Sequence, residues 1–454
     1  MSRSPAARSA MDASSLADRL ARAGLDAPAA QAKAAMFARL AEHLAKHAGI
    51  SPARAMAFFV PGRVEVLGKH TDYAGGSTLV MAVDRGFCLL VHPRSDNQVR
   101  LFNVAQNEQA CCAIDPDLSP QMGHWMNYPR TVVRRLARNF PQARCGADIA
   151  FLSDLPRSSG MSSSSAMIVA IYLALAAVNR IEQLPAYQHN IASQEDLAGY
   201  LGTIENGQTF GTLAGDRGVG TFGGSEDHTA ILCSQPGRLS QYRYCPVRLE
   251  RRIALPDDLR FLIAFSGAHA EKTGGARELY NRASLLAQQA AQAWRQATGR
   301  EDAHLAAALA SAPDALQQLR RILADQPDLL QRFEHFYAES EQILPAAGDA
   351  LEQGDLAEFG KQVDRSQDLT EQLLGNQVPQ TVHLAHSARR LGALAASAFG
   401  AGFGGSVWAL ARQADADALL QAWEQDYRAA FPADAAHACF FATRPGPAAM
   451  RISD

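Results

Sequence analysis

Apolar and polar positions sort the chain into helical and extended runs. Over 15–47, apolar residues return at helical spacing through Leu16, Leu20, Leu25, Ala35, Phe37, Leu40 and Leu44. This predicts two amphipathic helices broken near 24–28, where Gly24 and Pro28 interrupt the period. Short β-rich runs follow at 57–60, 64–67, 87–92 and 147–152. The stretch 166–179 has the length and composition of a buried helix, and 194–206 reads as another. Residues 208–226 are rich in Gly and Thr, which suits a loop beside a site. A second half opens near 251, with a strand at 261–265, Ala/Leu/Gln-rich helices between about 276 and 390, and a strand at 406–411. Strands and helices mix without regular βαβ alternation, so the pattern predicts an α+β fold of two lobes rather than a doubly wound sheet. The expected units are an N-terminal helical extension over 1–50, opened by a small, polar and flexible leader over 1–14, then domains over 51–250 and 251–454.

Composition narrows the function classes. Of 454 residues, 47% are apolar and 20% charged, as in an ordinary soluble globular chain, and the formal charge of −3 lacks the basic surplus of a nucleic-acid binder. The apolar run 166–178 is too short to span a bilayer, and the arginine-bearing first residues are not followed by the apolar region of a secretory signal. Seven cysteines, including the adjacent Cys111 and Cys112, have no metal-ligand spacing and fit a reducing compartment. A cytoplasmic protein acting on small molecules, as a monomer or dimer without nucleic-acid or membrane partners, is expected.

Three patches carry candidate chemistry. The first, from Pro61 to Gly76, runs from a strand-like piece into a glycine-bounded turn and contributes Arg63, Lys69, His70 and Asp72. Polar groups converging at a turn can bind several hydroxyls at once, although a solvated turn with a capping aspartate uses the same residues. In the second, Arg157, Ser158, Ser159, Gly160, Met161, Ser162, Ser163, Ser164 and Ser165 lead directly into the apolar helix. Helix starts leave backbone N–H groups unpaired and favour anions, so a Gly/Ser loop there can cradle phosphates. The blander reading is a serine linker with an N-cap. The third patch places Gly400, Gly402, Gly404 and Gly405 just before a buried strand, where glycine permits close backbone approach or simply a tight turn.

Taken together and in this order, the patches resemble the three signature motifs of the GHMP small-molecule kinases. The first, G-R-V-x-x-x-G-x-H-T-D-Y-x-G-G, resembles the signature of the galactokinases among them, and Trp125, Asn127 and Tyr128 follow the same order. The resemblance covers about 55–450 and implies a two-lobed GHMP kinase fold with its site between the lobes. It further implies ATP and Mg²⁺ as cofactors, and transfer of the γ-phosphate to the anomeric hydroxyl of galactose or a related hexose. It marks Asp227, in a segment similar to C-G-x-x-D-Q, as the general base and Arg63 as its partner. Asp227 could equally cap a helix, and Glu226 beside it leaves a one-residue ambiguity. By the same resemblance, Glu205 with Ser162 or Ser163 would hold Mg²⁺, Ser158 to Ser164 would hold ATP, and Gly402, Gly404 and Gly405 would approach sugar and phosphate. Lys69, His70, Asp72 and Tyr280 would contact the sugar, a lone tyrosine such as Tyr280 being as readily a core ring.

Two departures bear on substrate. The galactokinases carry Asn and Glu where this chain has Glu65 and Lys69, and Ser158 stands where a glycine is usual. Lys69 could meet a sugar carboxylate, making the substrate a uronic acid such as galacturonate. Alternatively Glu65 and Lys69 neutralise each other, which requires no change of substrate and is the favoured reading. The rivals are a kinase of mevalonate or an amino alcohol, against which the His70–Tyr73 stretch speaks, a non-catalytic ATP- and sugar-binding sensor, and a scaffold that binds no nucleotide.

Overall fold

The structure, a computed structural model, describes residues 13–268 and 275–452. The expected leader lies outside the described residues except for Ala13 and Ser14, which open the first helix.

Helices α1 (Ala13–Arg22) and α2 (Ala27–His47) break where expected, with Asp26 accepting a hydrogen bond from the Ala29 N–H at the start of α2. Their apolar stripe packs on one face of the first sheet, where Leu20, Phe37, Leu40 and Leu44 meet Phe59, Leu90 and Leu152. Ala35, predicted on that stripe, is exposed, and Lys33 takes a buried place instead. Helical rotation permits this, because Lys33 lies between Ala30 and Phe37 and ion-pairs with Asp154, just past the end of a strand of the underlying sheet.

The first sheet has eight strands among the described residues. They are β1 (Met56–Leu67), β2 (Ser77–Pro93), β3 (Gln98–Asn103), β4 (Glu108–Ala113), β5 (Ala147–Ser153), β6 (Arg238–Arg243), β7 (Arg248–Ala254) and, from the far end of the chain, β12 (Met450–Arg451). The second sheet has β8 (Leu259–Phe265), β9 (Ala395–Phe399), β10 (Ser406–Arg412) and β11 (Cys439–Thr443), ordered β11-β8-β10-β9 and antiparallel throughout. Strand β7 runs across the division expected at 250 and pairs with β6. The separate strands predicted at 57–60 and 64–67 are one strand, with a register shift between Pro61 and Arg63. A bulge there lets the ladder continue past a proline that cannot donate to it.

Helices α3 (Asn127–Asn139), α4 (Ser163–Asn179), the short α5 (Pro185–Asn190), α6 (Gln194–Asn206) and α7 (Glu226–Cys233) belong to the first half. Helix α4 is apolar on nearly all sides and buried under the first sheet, as its composition predicts. Helix α8 (Gly275–Thr298) begins the helical series that ends at Pro379–Arg390. One apolar cluster runs from Phe58 and Ile168 through Phe261 and Phe359 to Trp408, so both sheets share a continuous core. No helix among the described residues is long and apolar enough to cross a membrane.

Candidate active site

Close backbone approach brings the three patches together. A Cβ on Gly62 would sit 2.6 Å from a Leu155 methyl and 2.9 Å from the Met161 carbonyl, so only glycine lets the serine loop lie against β1. The Arg63 N–H then donates to the Met161 carbonyl, and the Arg63 Nη1 to the Gly160 carbonyl at 2.5 Å. On its other side the serine loop meets the glycine loop. A Cβ on Gly400 would fall 2.8 Å from the Gly160 carbonyl, and Ser406 Oγ donates to the Ser159 carbonyl.

The centre of the resulting cleft is a chain of charge-assisted contacts. Arg63, 4% exposed, donates from Nε to Asp227 Oδ1 at 2.7 Å, with Nη2 2.5 Å from the same oxygen. Asp227 sits in the first turn of α7, where the helix field favours an anion. Ser165 Oγ lies 2.8 Å from Glu205 Oε2 and 3.0 Å from Asp227 Oδ2, so one hydroxyl proton faces two carboxylates. Arg63, Asp227 and Glu205 thus converge as predicted.

Ser165 was absent from the predicted serines, and it is the one that reaches Glu205. Four consecutive serines at a helix start point about 100° apart, so a single one can face inward. Ser162 is the N-cap with φ 56°, and Ser163 and Ser164 face a second cavity of about 410 Å³. That cavity is lined by Trp125, Tyr128, Phe87, Phe151 and Met167, with Ser158 at its edge. Ser158 has φ 53°, a conformation glycine adopts without strain. Met161, predicted in the phosphate loop, is 1% exposed and belongs to the core through its side chain.

The sugar-side residues divide. His70, Asp72 and Tyr280 line the cleft beside Arg63, with the His70 and Tyr280 ring centroids 5.3 Å apart. Asp72 accepts from the backbone N–H groups of Tyr73 and Glu226, and burial still pushes its carboxyl up to about 6. The paired glycines ahead of α7 make room for these groups. A Cβ on Gly223 would meet the Tyr280 hydroxyl at 2.5 Å, and one on Gly224 the Asp72 carboxylate at 2.3 Å.

Lys69 is not in the cleft. It is 1% exposed and its Nζ donates to Ser397 Oγ at 2.7 Å and Ser366 Oγ at 3.1 Å. Glu339 accepts from Ser366 and from the Gly68 N–H in the same network. The residue before His70 points away because the chain turns there, His70 itself having φ 57°. No ion pair joins Lys69 to Glu65 among the described residues; burial raises the Glu65 carboxyl and the charges of Arg63 and Lys69 oppose that rise, so the two side chains still interact through charge. Among the third-patch residues, Gly400 and Ala401 line the cleft, whereas Gly402 packs on Asn376 and Gly405 bonds to Ser266 and Ala268. The predicted Gly402 and Gly405 therefore shape the loop from behind, and Gly404 stands between them with φ 119°.

Comparison with known proteins bears on this geometry. Residues 43–93 match the model of the galactokinase galactose-binding signature, 127–216 the GHMP kinases N-terminal domain, and 349–429 the GHMP kinases C-terminal region. The chain belongs to the GHMP kinases, on their galactokinase-like branch. A galactokinase of Roseiflexus sp. (strain RS-1) is 28% identical over 396 residues, covering 86% of this chain and 91% of the relative. One from Chloroflexus aggregans is 29% identical over 378 residues, covering 81% and 86%. The fold of this GHMP kinase also matches Lactococcus lactis galactokinase complexed with galactose, at TM-score 0.74 and 20% identity over 91% of this chain and 99% of the other. A Methanococcus jannaschii mevalonate kinase aligns at TM-score 0.53 and 13% identity over 86% and 98%. The two-lobed α+β expectation and the phosphotransferase class accord with these findings.

Proposed function

We propose that this GHMP kinase transfers the γ-phosphate of ATP to the anomeric C1 hydroxyl of galactose or a related hexose. The observation that carries the reading is the contact of Asp227 with both Arg63 and Ser165, at the meeting point of the serine and glycine loops. A carboxylate in that position accepts the hydroxyl proton as the new O–P bond forms and the bond to the departing ADP breaks. Arg63 holds Asp227 ionised and oriented, and offsets charge on the moving phosphoryl group. The start of α4 supplies backbone N–H groups for phosphate oxygens, and the aromatic cavity beside Ser163 and Ser164 suits a nucleotide base.

Ser165 Oγ and Glu205 Oε2 are hard oxygen donors 2.8 Å apart, with one proton between two carboxylates, a donor set that fits Mg²⁺. The ion would neutralise charge on the ATP phosphates. His70, Asp72 and Tyr280 are assigned to the sugar. The uronic acid reading loses its support, since Lys69 is spent on Ser366, Ser397 and the Glu339 network. ADP release over a panel of hexoses, with the phosphorylated carbon assigned by phosphorus NMR, tests the proposal. Sugar and ATP binding without ADP release would instead indicate a sensor.

A further inference from the structure

Behind the sugar end of the cleft, the helix Pro327–Ala338 turns Arg332 into the fold, where it is buried. Its Nε donates to the Ala283 carbonyl at 3.2 Å, in the helix that carries Tyr280. Nη1 lies 3.2 Å from His335 Nδ1. Nη2 donates to the His70 carbonyl and, at 3.2 Å, to the Tyr73 hydroxyl. The first of these bonds holds a residue whose φ of 57° lies in the left-handed region, where a backbone bearing a side chain is strained. Arg332 therefore grips His70 twice, at its backbone directly and at its ring through Tyr73.

The proton positions along this chain follow from what each partner can do. Arginine only donates, so the Tyr73 oxygen accepts from it and the hydroxyl proton is left for His70 Nδ1, 3.0 Å away. Burial pushes the Tyr73 phenol up to about 12 against the pull of Arg332, so that proton stays in place. Nδ1 is then the acceptor, and Nε2 carries the N–H that meets the Ala401 carbonyl at 3.2 Å. Asn376 Nδ2 donates to the same carbonyl at 3.3 Å. The other tautomer would aim a lone pair at that carbonyl oxygen. The chain thus ends on the glycine loop. His70 and Ala401 both line the cleft, and Gly400 beside Ala401 packs on the Gly160 carbonyl of the serine loop.

We infer that Arg332 and Tyr73 are positioning residues for the acceptor sugar, holding the His70 ring as its Nε2–H tautomer and so tying it to the glycine loop. This rests on the sugar-kinase reading, with His70 on the sugar. Nitrogen NMR of protein labelled at histidine, with the His70 signals identified by their loss in His70→Asn, reads the tautomer without turnover. The wild-type ring should be neutral with its proton on Nε2. Saturation with the hexose turned over fastest should shift its signals and keep that tautomer. Tyr73→Phe retains the ring packing and removes one oxygen, so the Nδ1 signal should move to that of a nitrogen without a donor. In that variant KM for the sugar should rise by roughly tenfold, with kcat and KM for ATP within about threefold. A proton on Nδ1, a doubly protonated ring, or His70 signals that ignore the sugar overturn the inference in the wild-type protein alone. A Tyr73→Phe variant in which both KM values move together, or neither moves, also overturns it. No ADP release with any sugar ends both readings, whereas a wrong tautomer ends only this one.

Discussion

The two sides of strand β1 where it enters the His70 turn make an instructive pair. Behind it, Lys69, Ser366, Ser397, Gln367 and Glu339 form a buried network in which the lysine and both hydroxyls find partners. In front, Glu65 and Glu226 are equally buried, and Oε1 of each lacks a hydrogen bond, as Glu339 Oε2 does behind, while the Glu226 oxygen lies 3.6 Å from Arg63 Nε. Folding alone accounts for the first arrangement, since a polar network whose lysine and hydroxyls are satisfied favours one packing of the elements around it. The second surrounds Arg63, whose charge acts on Asp227, Glu226 and Glu65 together, so these carboxyl groups share one cation at the centre of the cleft. Within a few residues, a cation enclosed by hydroxyls belongs to the packing of the fold and a cation shared among carboxyl groups belongs to the cleft.

Substitutions on either side should separate the two roles. Asp227→Asn removes the proton acceptor and should lower kcat by roughly a thousandfold while ATP affinity stays within about threefold. A full-rate Asn variant would mean that another carboxylate is the base. Lys69→Met should act oppositely, costing about 3 kcal/mol in urea unfolding by stripping the buried cation from its network, with little change in sugar specificity. A specificity change with unaltered stability would return Lys69 to the cleft.

Glu65 allows a pH test. Burial raises its carboxyl above the ordinary 4.5, and that of Asp72 to about 6, so the folded protein holds protons that the unfolded chain releases. Their contribution to stability is full below the ordinary carboxylate range and is lost as pH climbs through the raised values. Urea unfolding at pH 5 and pH 8 should therefore show a loss at the higher pH, and Glu65→Gln should shrink that loss by on the order of 2 kcal/mol. An unchanged difference would mean that Glu65 is ionised in the folded state. The smallest effect is expected for Ser158→Gly, which relieves φ 53° and should gain about 0.5 kcal/mol, set against a flexible-chain penalty. If the serine is kept for nucleotide binding, KM for ATP should rise in that variant despite the gain.

Much of this was legible before any coordinates. Helix α6 falls on the predicted 194–206, and strands β5, β8 and β10 lie within two residues of their predicted bounds, because apolar periodicity is a local property that tertiary contacts reinforce. Strands β3, β4, β6, β7, β9, β11 and β12 escaped notice, most of them being short with mixed burial that carries little period, and β9 being a five-residue run rich in alanine. The three patches, and within them Arg63, His70 and Asp72, were likewise marked by residue type and spacing, whereas Asp227, Glu205 and Tyr280 were marked by the resemblance to the galactokinases.

What the sequence determined by itself was which residues could do chemistry, because glycine, serine and charge express their capacities wherever they stand. Tertiary structure alone decided which way each of them faces. Ser165 rather than Ser162 or Ser163 meets Glu205 because a helix turns about 100° per residue, and Lys69 leaves the cleft that Glu65 enters because the chain reverses between them. Direction of a side chain depends on packing from elements hundreds of residues away, and no local pattern encodes it.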